Sequence, residues 1–262
     1  MLHKQVSILN NKEIAPGYFL MELQSPQLAS NSSPGQFLHI KCSSNYSPLL
    51  RRPLSIHRLL YEDSEAKGVA VLYRVAGKGT SYLSLRKRGQ TIDCIGPLGK
   101  GFELKNVKNA IIVAGGIGVA PLFFLGERIR KLQITAFLGA KSKDEILCIQ
   151  ELEHLAAEIH IATEDGSTGY KGLVSDLLES KLSTINHQLS TIIYACGPKE
   201  MLRKIALLSE RYSIPSQVSF EQFMGCGIGV CNACVVATKQ GYRKVCRDGP
   251  VFWAKEINWE RI

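Results

Sequence analysis

The chain lacks an uninterrupted apolar run long enough to cross a membrane, and it opens without the apolar core of a secretory leader. Met1 to Met21 mixes Lys4, Asn10, Asn11, Lys12 and Glu13 with isolated apolar residues, which places the protein in the cytoplasm. One charge-free stretch, Ala110 to Gly126, comes nearest to a span of roughly 20 residues, but Gly115, Gly116, Gly118 and Pro121 interrupt it. A strand, a tight turn and a helix explain it better. Internal repeats, low-complexity tracts and nucleic-acid-binding signatures are absent too. The net charge of +9 is spread in ones and twos, with Arg86-Lys87-Arg88 the densest run. Neither nucleic acid nor membrane is therefore an expected partner, whereas a basic surface suits a protein that holds two anionic dinucleotides.

What is present is enough apolar residue, 45% of 262, for one large or two ordinary domains. The first hundred residues read as short strands between Gly, Pro, Ser and Asn, with β-rich runs at Gln36 to Cys42, Val69 to Val75 and Thr91 to Ile95. That spacing predicts an antiparallel barrel or sandwich. From Asn109 the pattern changes to apolar runs at Ala110 to Ala114, Ile134 to Leu138, Ile159 to Thr163 and Thr191 to Cys196. Helical periodicity falls on Val119 to Lys131, Asp144 to Ala157, Leu173 to Ser180 and Lys199 to Tyr212. Such alternation predicts a parallel sheet with helices on its faces. The expected fold is a β-barrel plus an α/β unit, divided as 1–104, 105–212 and a Gly- and Cys-rich module at 213–262.

Eight cysteines in a cytoplasmic chain are not a disulfide framework. Cys42, Cys94, Cys148 and Cys196 are solitary, whereas Cys226-x4-Cys231-x2-Cys234 and Cys246 crowd together. This is the plant-type ferredoxin spacing, in which four thiolates hold a 2Fe-2S cluster. Gly225, Gly227 and Gly229 let the backbone wrap closely around inorganic sulfide. A zinc site on the same four cysteines is the competing reading, but such sites more often use two Cys-x2-Cys pairs.

Two anion-binding patterns precede the cysteines. Arg52-Pro53-Leu54-Ser55 offers a bidentate donor for a pyrophosphate, and Gly77-Lys78-Gly79-Thr80 exposes backbone amides. Each alone is weak: Arg52 could be an ordinary surface arginine and the glycines a hairpin turn. Gly115-Gly116-Ile117-Gly118-Val119-Ala120-Pro121 follows an expected strand and opens an expected helix, the setting of a phosphate cradle. Pro121 stands where a third glycine belongs, and no acid ends the next strand at Gly139-Ala140-Lys141, which disfavours a standard Rossmann dehydrogenase. Cys196-Gly197-Pro198 closes a later strand, although a solitary cysteine is usually a small buried hydrophobe.

Taken in order, these segments resemble the ferredoxin-NADP reductase superfamily across nearly the whole chain. Its flavin motif, Arg-x-Tyr-Ser/Thr, meets Arg52 and Ser55, with Leu54 replacing the flavin-stacking tyrosine. Arg-Arg-Pro-Leu-Ser, Leu-Tyr-Arg-Val, Gly-Lys-Gly-Thr, Gly-Cys-Gly-Ile-Gly-Val-Cys and Val-Cys-Arg-Asp-Gly-Pro-Val-Phe narrow the resemblance to electron-transfer subunits of class B dihydroorotate dehydrogenases. The resemblance implies FAD contacts from Arg52, Pro53, Leu54, Ser55, Leu72, Tyr73, Arg74, Gly79 and Thr80. It implies a nicotinamide site at Gly115, Gly116, Gly118, Pro121, Cys196, Gly197 and Pro198, with NAD preferred, and a 2Fe-2S centre on Cys226, Cys231, Cys234 and Cys246. It further implies a partner, an FMN-containing dihydroorotate dehydrogenase catalytic subunit in a heterotetramer of two of each chain, serving pyrimidine biosynthesis. No side chain then acts as acid or base. Small subunits of NADH-dependent ferredoxin:NADP oxidoreductases and sulfur-reducing enzymes share the same parts, and a basic zinc-binding interaction module is the alternative from another class. Lys141 and Lys143 leave NAD against NADP open at the level of residues.

Overall fold

The computed structural model describes residues 1–105, 107–183 and 190–262. Six antiparallel strands come first: β1 (Leu2–Ala15), β2 (Tyr18–Gln24), β3 (Phe37–Ile40), β4 (Arg52–Glu62), β5 (Glu65–Arg74) and β6 (Thr91–Leu98). They close in the order β1-β2-β5-β4-β3-β6, and β1 meets β6 from Leu2 opposite Gly96 to Ser7 opposite Thr91. Only short helices interrupt them, α1 (Pro26–Ser30) and α2 (Lys78–Ser84). Alternation sends Val6, Ile8, Leu38, Ile40, Leu54, Ile56, Val71 and Tyr73 into one core cluster, which leaves their neighbours to face outward. The barrel is thus a sheet without edges.

The second unit begins with β7 (Asn109–Gly115), a 3-10 turn at Gly116–Gly118 and α3 (Val119–Arg128). It continues through β8 (Gln133–Ala140), α4 (Ile149–Glu153), β9 (Glu158–Thr163), β10 (Tyr170–Lys171), α5 (Val174–Leu182), β11 (Thr191–Cys196), α6 (Lys199–Arg211) and β12 (Ser216–Ser219). The cysteine region adds a hairpin, β13 (Val235–Thr238) and β14 (Gly241–Lys244), then α7 (Val245–Asp248) and β15 (Val251–Trp253). The seven-stranded sheet runs β10-β9-β8-β7-β11-β12-β15, parallel except for β15. Two of its strands, β12 and β15, come from beyond residue 212, so the sheet draws on both sides of the cysteine loop. The helix expected over Asp144 to Ala157 is replaced by a 3-10 turn at Lys143–Glu145 and the short α4. Cys148 takes a left-handed φ of 62° between them, and Leu147 and Cys148 are buried there.

The apolar runs of the parallel strands are buried on both faces. One face packs α5 and α6 together with Met224, Cys234, Val245, Cys246 and Phe252, so the cysteine region shares a core with the sheet. The other face packs α3. This helix is apolar nearly all round, because it is covered on both sides: Phe123 packs with the sheet while Phe124 joins the barrel's core cluster.

Candidate cofactor and electron-transfer site

The order of the sheet reverses between β7 and β11, which opens a crevice at the carboxyl ends of these neighbours. Both nicotinamide motifs lie there and touch. A side-chain carbon on Gly118 would sit 2.0 Å from the Cys196 carbonyl oxygen, and one on Gly115 would sit 2.7 Å from Pro198. At Gly118 glycine is required because backbone meets backbone, while at Gly115 the Pro198 ring and the Met201 thioether fill the space. Pro121 falls in the first turn of α3, where a missing N–H leaves no hydrogen bond unmade. Burial pushes the Cys196 thiol up, and the Glu221 carboxylate adds to that effect. Cys196 is buried in the core cluster behind the turn. Glu221 keeps contact with solvent, yet the chain packed around its carboxyl raises its pKa. No spacing in the sequence marked Glu221; only the end of β12 brings it to Cys196.

The flavin motifs come together at one end of the barrel. The Arg52 guanidinium lies against Gly79, where a side-chain carbon would meet its Nε at 2.6 Å. Its Nη1 donates to the carbonyls of Leu50 and Arg51, at 2.6 and 3.3 Å, so the fork is held in place. Thr80 Oγ1 accepts from the amides of Ala76 (2.9 Å) and Gly77 (3.2 Å), which fixes the turn that starts α2. Pro53 and Ser55 face outward from β4, whereas Leu54 turns into the barrel core. On β5 the same alternation splits the expected contacts. Leu72 packs toward the sheet and Tyr73 inward, its hydroxyl donating to Asn11 Oδ1 at 3.0 Å. Arg74 covers the Tyr18 ring at 5.6 Å and reaches Glu145 at 3.7 Å. Leu54 and Tyr73 are thus drawn into the barrel, while Arg52, Pro53, Ser55 and Thr80 stay partly exposed around the buried Gly79.

The four clustered cysteines sort into two pairs. The Cys231 amide donates to Cys226 Sγ at 3.4 Å, and the Cys246 amide donates to Cys234 Sγ at 3.4 Å. The pairs are linked by Gly229, whose amide reaches Cys246 Sγ at 3.1 Å, while the Val230 amide reaches Cys226 Sγ at 3.3 Å. Gly227 (φ 71°), Gly229 (φ 85°) and Asn232 (φ 57°) supply the left-handed turns that aim these amides inward. Burial would raise the Cys226 thiol, but the amides of Cys231, Ile228 and Val230 outweigh it and lower its pKa to about 6. Burial and the neighbouring Cys234 push Cys246 up to about 12, so ligation there releases a proton. Among the described residues no three potential ligands converge as one metal ion demands. Two pairs of thiols with amides on sulfur fit a two-iron centre, one pair for each iron. Cys231 is exposed and Cys234 and Cys246 are buried, so the loop turns one edge to the surface beside Phe223 and Val230, themselves 94% and 73% exposed.

Between loop and barrel lies His39 of β3, fully buried, with neither ring nitrogen hydrogen-bonded. Burial and the Arg51 charge lower its pKa to about 4, against the pull of the nearby Cys226 and Arg51 carbonyls. No local pattern marks it, since a lone histidine on a strand reads as core.

The closed barrel, the parallel sheet with its crevice and the paired thiols together make the ferredoxin-NADP reductase-like fold with an added cysteine module. Solved structures carry the same fold: a ferredoxin NADP+ reductase from Neisseria gonorrhoeae aligns at a TM-score of 0.68 with 18% identity, over 80% of this chain and 91% of its own. A protein described through the NADH-dependent reduced ferredoxin-NADP oxidoreductase structure aligns at 0.85 with 30% identity, over 98% and 91%. Residues 112–206 match the oxidoreductase NAD-binding domain, and residues 221–258 match the iron-sulfur cluster binding domain of dihydroorotate dehydrogenase B. Proteins named dihydroorotate dehydrogenase B (NAD(+)), electron transfer subunit, are 40% identical in Desulforamulus reducens, over 94% of this chain and 95% of theirs, and 38% in a Geobacillus species, over 98% and 99%. The chain belongs to this family of electron transfer subunits. Among the described residues no helix is long and apolar enough to cross a membrane.

Proposed function

We propose that this chain carries electrons from a catalytic dihydroorotate dehydrogenase subunit to NAD in the cytoplasm, within pyrimidine biosynthesis. The observation that carries this is the set of sites in one chain: paired thiols on a loop with one edge at the surface, an arginine and glycine edge on the neighbouring barrel, and a crevice at the switch point of the sheet. Cys226, Cys231, Cys234 and Cys246 hold a 2Fe-2S cluster. Arg52, Pro53, Ser55, Gly79 and Thr80 bind FAD through side chain and backbone, Leu54, Leu72, Tyr73 and Arg74 completing its bed. Gly115, Gly116, Gly118, Pro121, Cys196, Gly197 and Pro198 line the NAD crevice. When bound, FAD exchanges a hydride with the nicotinamide and single electrons with the cluster.

The chain's own part is placement. Arg52 neutralises pyrophosphate, the glycines admit the dinucleotides at backbone distance, and the amides around Cys226 stabilise charge on sulfur. No acid or base is required of it. The partner carries FMN and docks where the cysteine loop meets the surface, two copies of each chain forming the assembly. The limits 1–104, 105–212 and 213–262 separate the three tasks, although the last segment also lends two strands to the sheet.

The visible spectrum of the chain purified with its partner under anaerobic conditions tests this. Flavin and iron-sulfur bands should bleach with NADH or with dihydroorotate and stay unchanged with NADPH. A colourless sample loaded with zinc would refute the redox reading, and bleaching by NADPH at the rate seen with NADH would refute the NAD assignment.

A further inference from the structure

His39 is a buried imidazole with no well-formed hydrogen bond at either nitrogen, the Cys226 and Arg51 carbonyls coming near without closing one, whereas the other fully buried histidine among the described residues is satisfied. His57 Nδ1 donates to the Ala120 carbonyl at 3.1 Å, and its Nε2 lies 3.2 Å from Arg58 Nη2. Buried polar groups are as a rule hydrogen-bonded, and since Arg58 Nε, Thr191 Oγ1 and Ser216 Oγ are also left unpaired, it is the place of His39 that says what its ring is for. Strand alternation turns Leu38 and Ile40 into the barrel and leaves Phe37 and His39 outside it. Phe37 packs in the same cluster as Cys234 and Cys246. His39 pairs with Pro53 of the flavin edge on one side. On the other, its ring rests against Gly227, where an added side-chain carbon would lie 2.4 Å from Nδ1, the nearest ring atom. Gly227 holds a φ of 71° between Cys226 and Ile228, so the turn that presents the first ligand is shaped around this ring.

We propose that His39 donates its Nδ1 hydrogen to a sulfur atom of the cluster held by the Cys226 turn, and that this bond raises the cluster's affinity for an electron. The inference rests on the reading of Cys226, Cys231, Cys234 and Cys246 as 2Fe-2S ligands. Reduction adds negative charge that spreads onto sulfur. A hydrogen-bond donor stabilises that charge more than it stabilises the oxidised form, and its removal lowers the potential. The donor comes from the flavin-binding barrel, so the potential of the cluster depends on the barrel being docked against the loop.

The test compares the assembled complex, cluster and flavins in place, as wild type, His39→Leu and His39→Asn, with the cluster followed by electron paramagnetic resonance during a redox titration. Leu fills the space without a donor, while the Asn amide restores one near the Nδ1 position. His39→Leu should shift the electron equilibrium away from the cluster by about tenfold, a fall of about 59 mV for a one-electron couple, and His39→Asn should stay within about twofold of wild type. Equal shifts in both variants, no shift in either, or a shift of the flavin in place of the cluster would overturn the assignment. Should the Leu variant fail to assemble, wild-type complex labelled with heavy-isotope histidine nitrogen decides. A nitrogen coupling on the reduced cluster is expected, and its absence refutes the bond. A wild-type sample with no iron-sulfur signal at all would instead remove the ligand reading on which the inference stands.

Discussion

At the scale of single residues, the tightest constraint in the nucleotide crevice is Gly118. A methyl group there would approach the Cys196 carbonyl oxygen to 2.0 Å and its carbon to 2.5 Å, both backbone atoms that cannot rotate away. Gly118→Ala should therefore destabilise by about 1–3 kcal/mol and weaken NADH binding, because β11 must shift away from the turn. Gly77→Ala is the control: its backbone is extended at φ 173° and nothing lies within 4 Å of the added carbon. Thermal melts and NADH titrations of both variants check this, and equal stability of the two would contradict it. Legibility at this scale follows distance along the chain. Three of the proposed cluster ligands, Cys226, Cys231 and Cys234, lie within one short loop, so their spacing is a local pattern, and so are the glycines at Gly115 to Gly118. His39 and Glu221 act on groups brought to them by strands far away in sequence, and no local pattern announces that.

At the scale of elements, α3 (Val119–Arg128) does two jobs that one amphipathic face could not. Val119, Ala120, Leu122 and Leu125 pack in the sheet's core cluster, while Phe124 is 1% exposed within the barrel's, and Phe123 joins the two by stacking 4.8 Å from His57 of β4. Phe124→Ala should cost about 3–5 kcal/mol and loosen barrel from sheet together. Calorimetry reads this as a lower midpoint for the whole molecule; loss of stability confined to the parallel sheet would count against it. The parallel strands β7, β8, β9 and β11 were legible because burial in the sheet produces apolar runs, whereas the short β10 and β12 carry none. β1 was not, because Lys4, Gln5, Asn10 and Lys12 alternate with its apolar residues on a barrel wall that is wet outside. The helix expected over Asp144 to Ala157 failed at Cys148, whose left-handed backbone no periodicity foretells.

At the scale of the whole molecule, His57 reports on the closure of barrel against sheet. Burial first, and the Arg58 charge second, lower its pKa from 6.5 to about 3. The unfolded chain takes up a proton below pH 6.5 that the folded ring refuses. Stability is thus complete above that pH and declines as pH falls toward 3, by up to about 1.4 kcal/mol per unit from this one group. Between about pH 7 and pH 5 the urea midpoint of wild type should fall further than that of His57→Gln, and parallel falls would rule the histidine out. The order of barrel, sheet and cysteine module was readable from shifts in composition. The return of the chain to the sheet was not, because β12 and β15 are too short to signal their partner. That return bears on biosynthesis. Cys226, Cys231 and Cys234 leave the ribosome while β12 is still an open edge, and only after Cys246 has followed can Val251–Trp253 pair with it. The last strand to pair is also the one that closes the cysteine segment into the sheet, so a chain cut short before Val251 would keep all four cysteines and lose that closure.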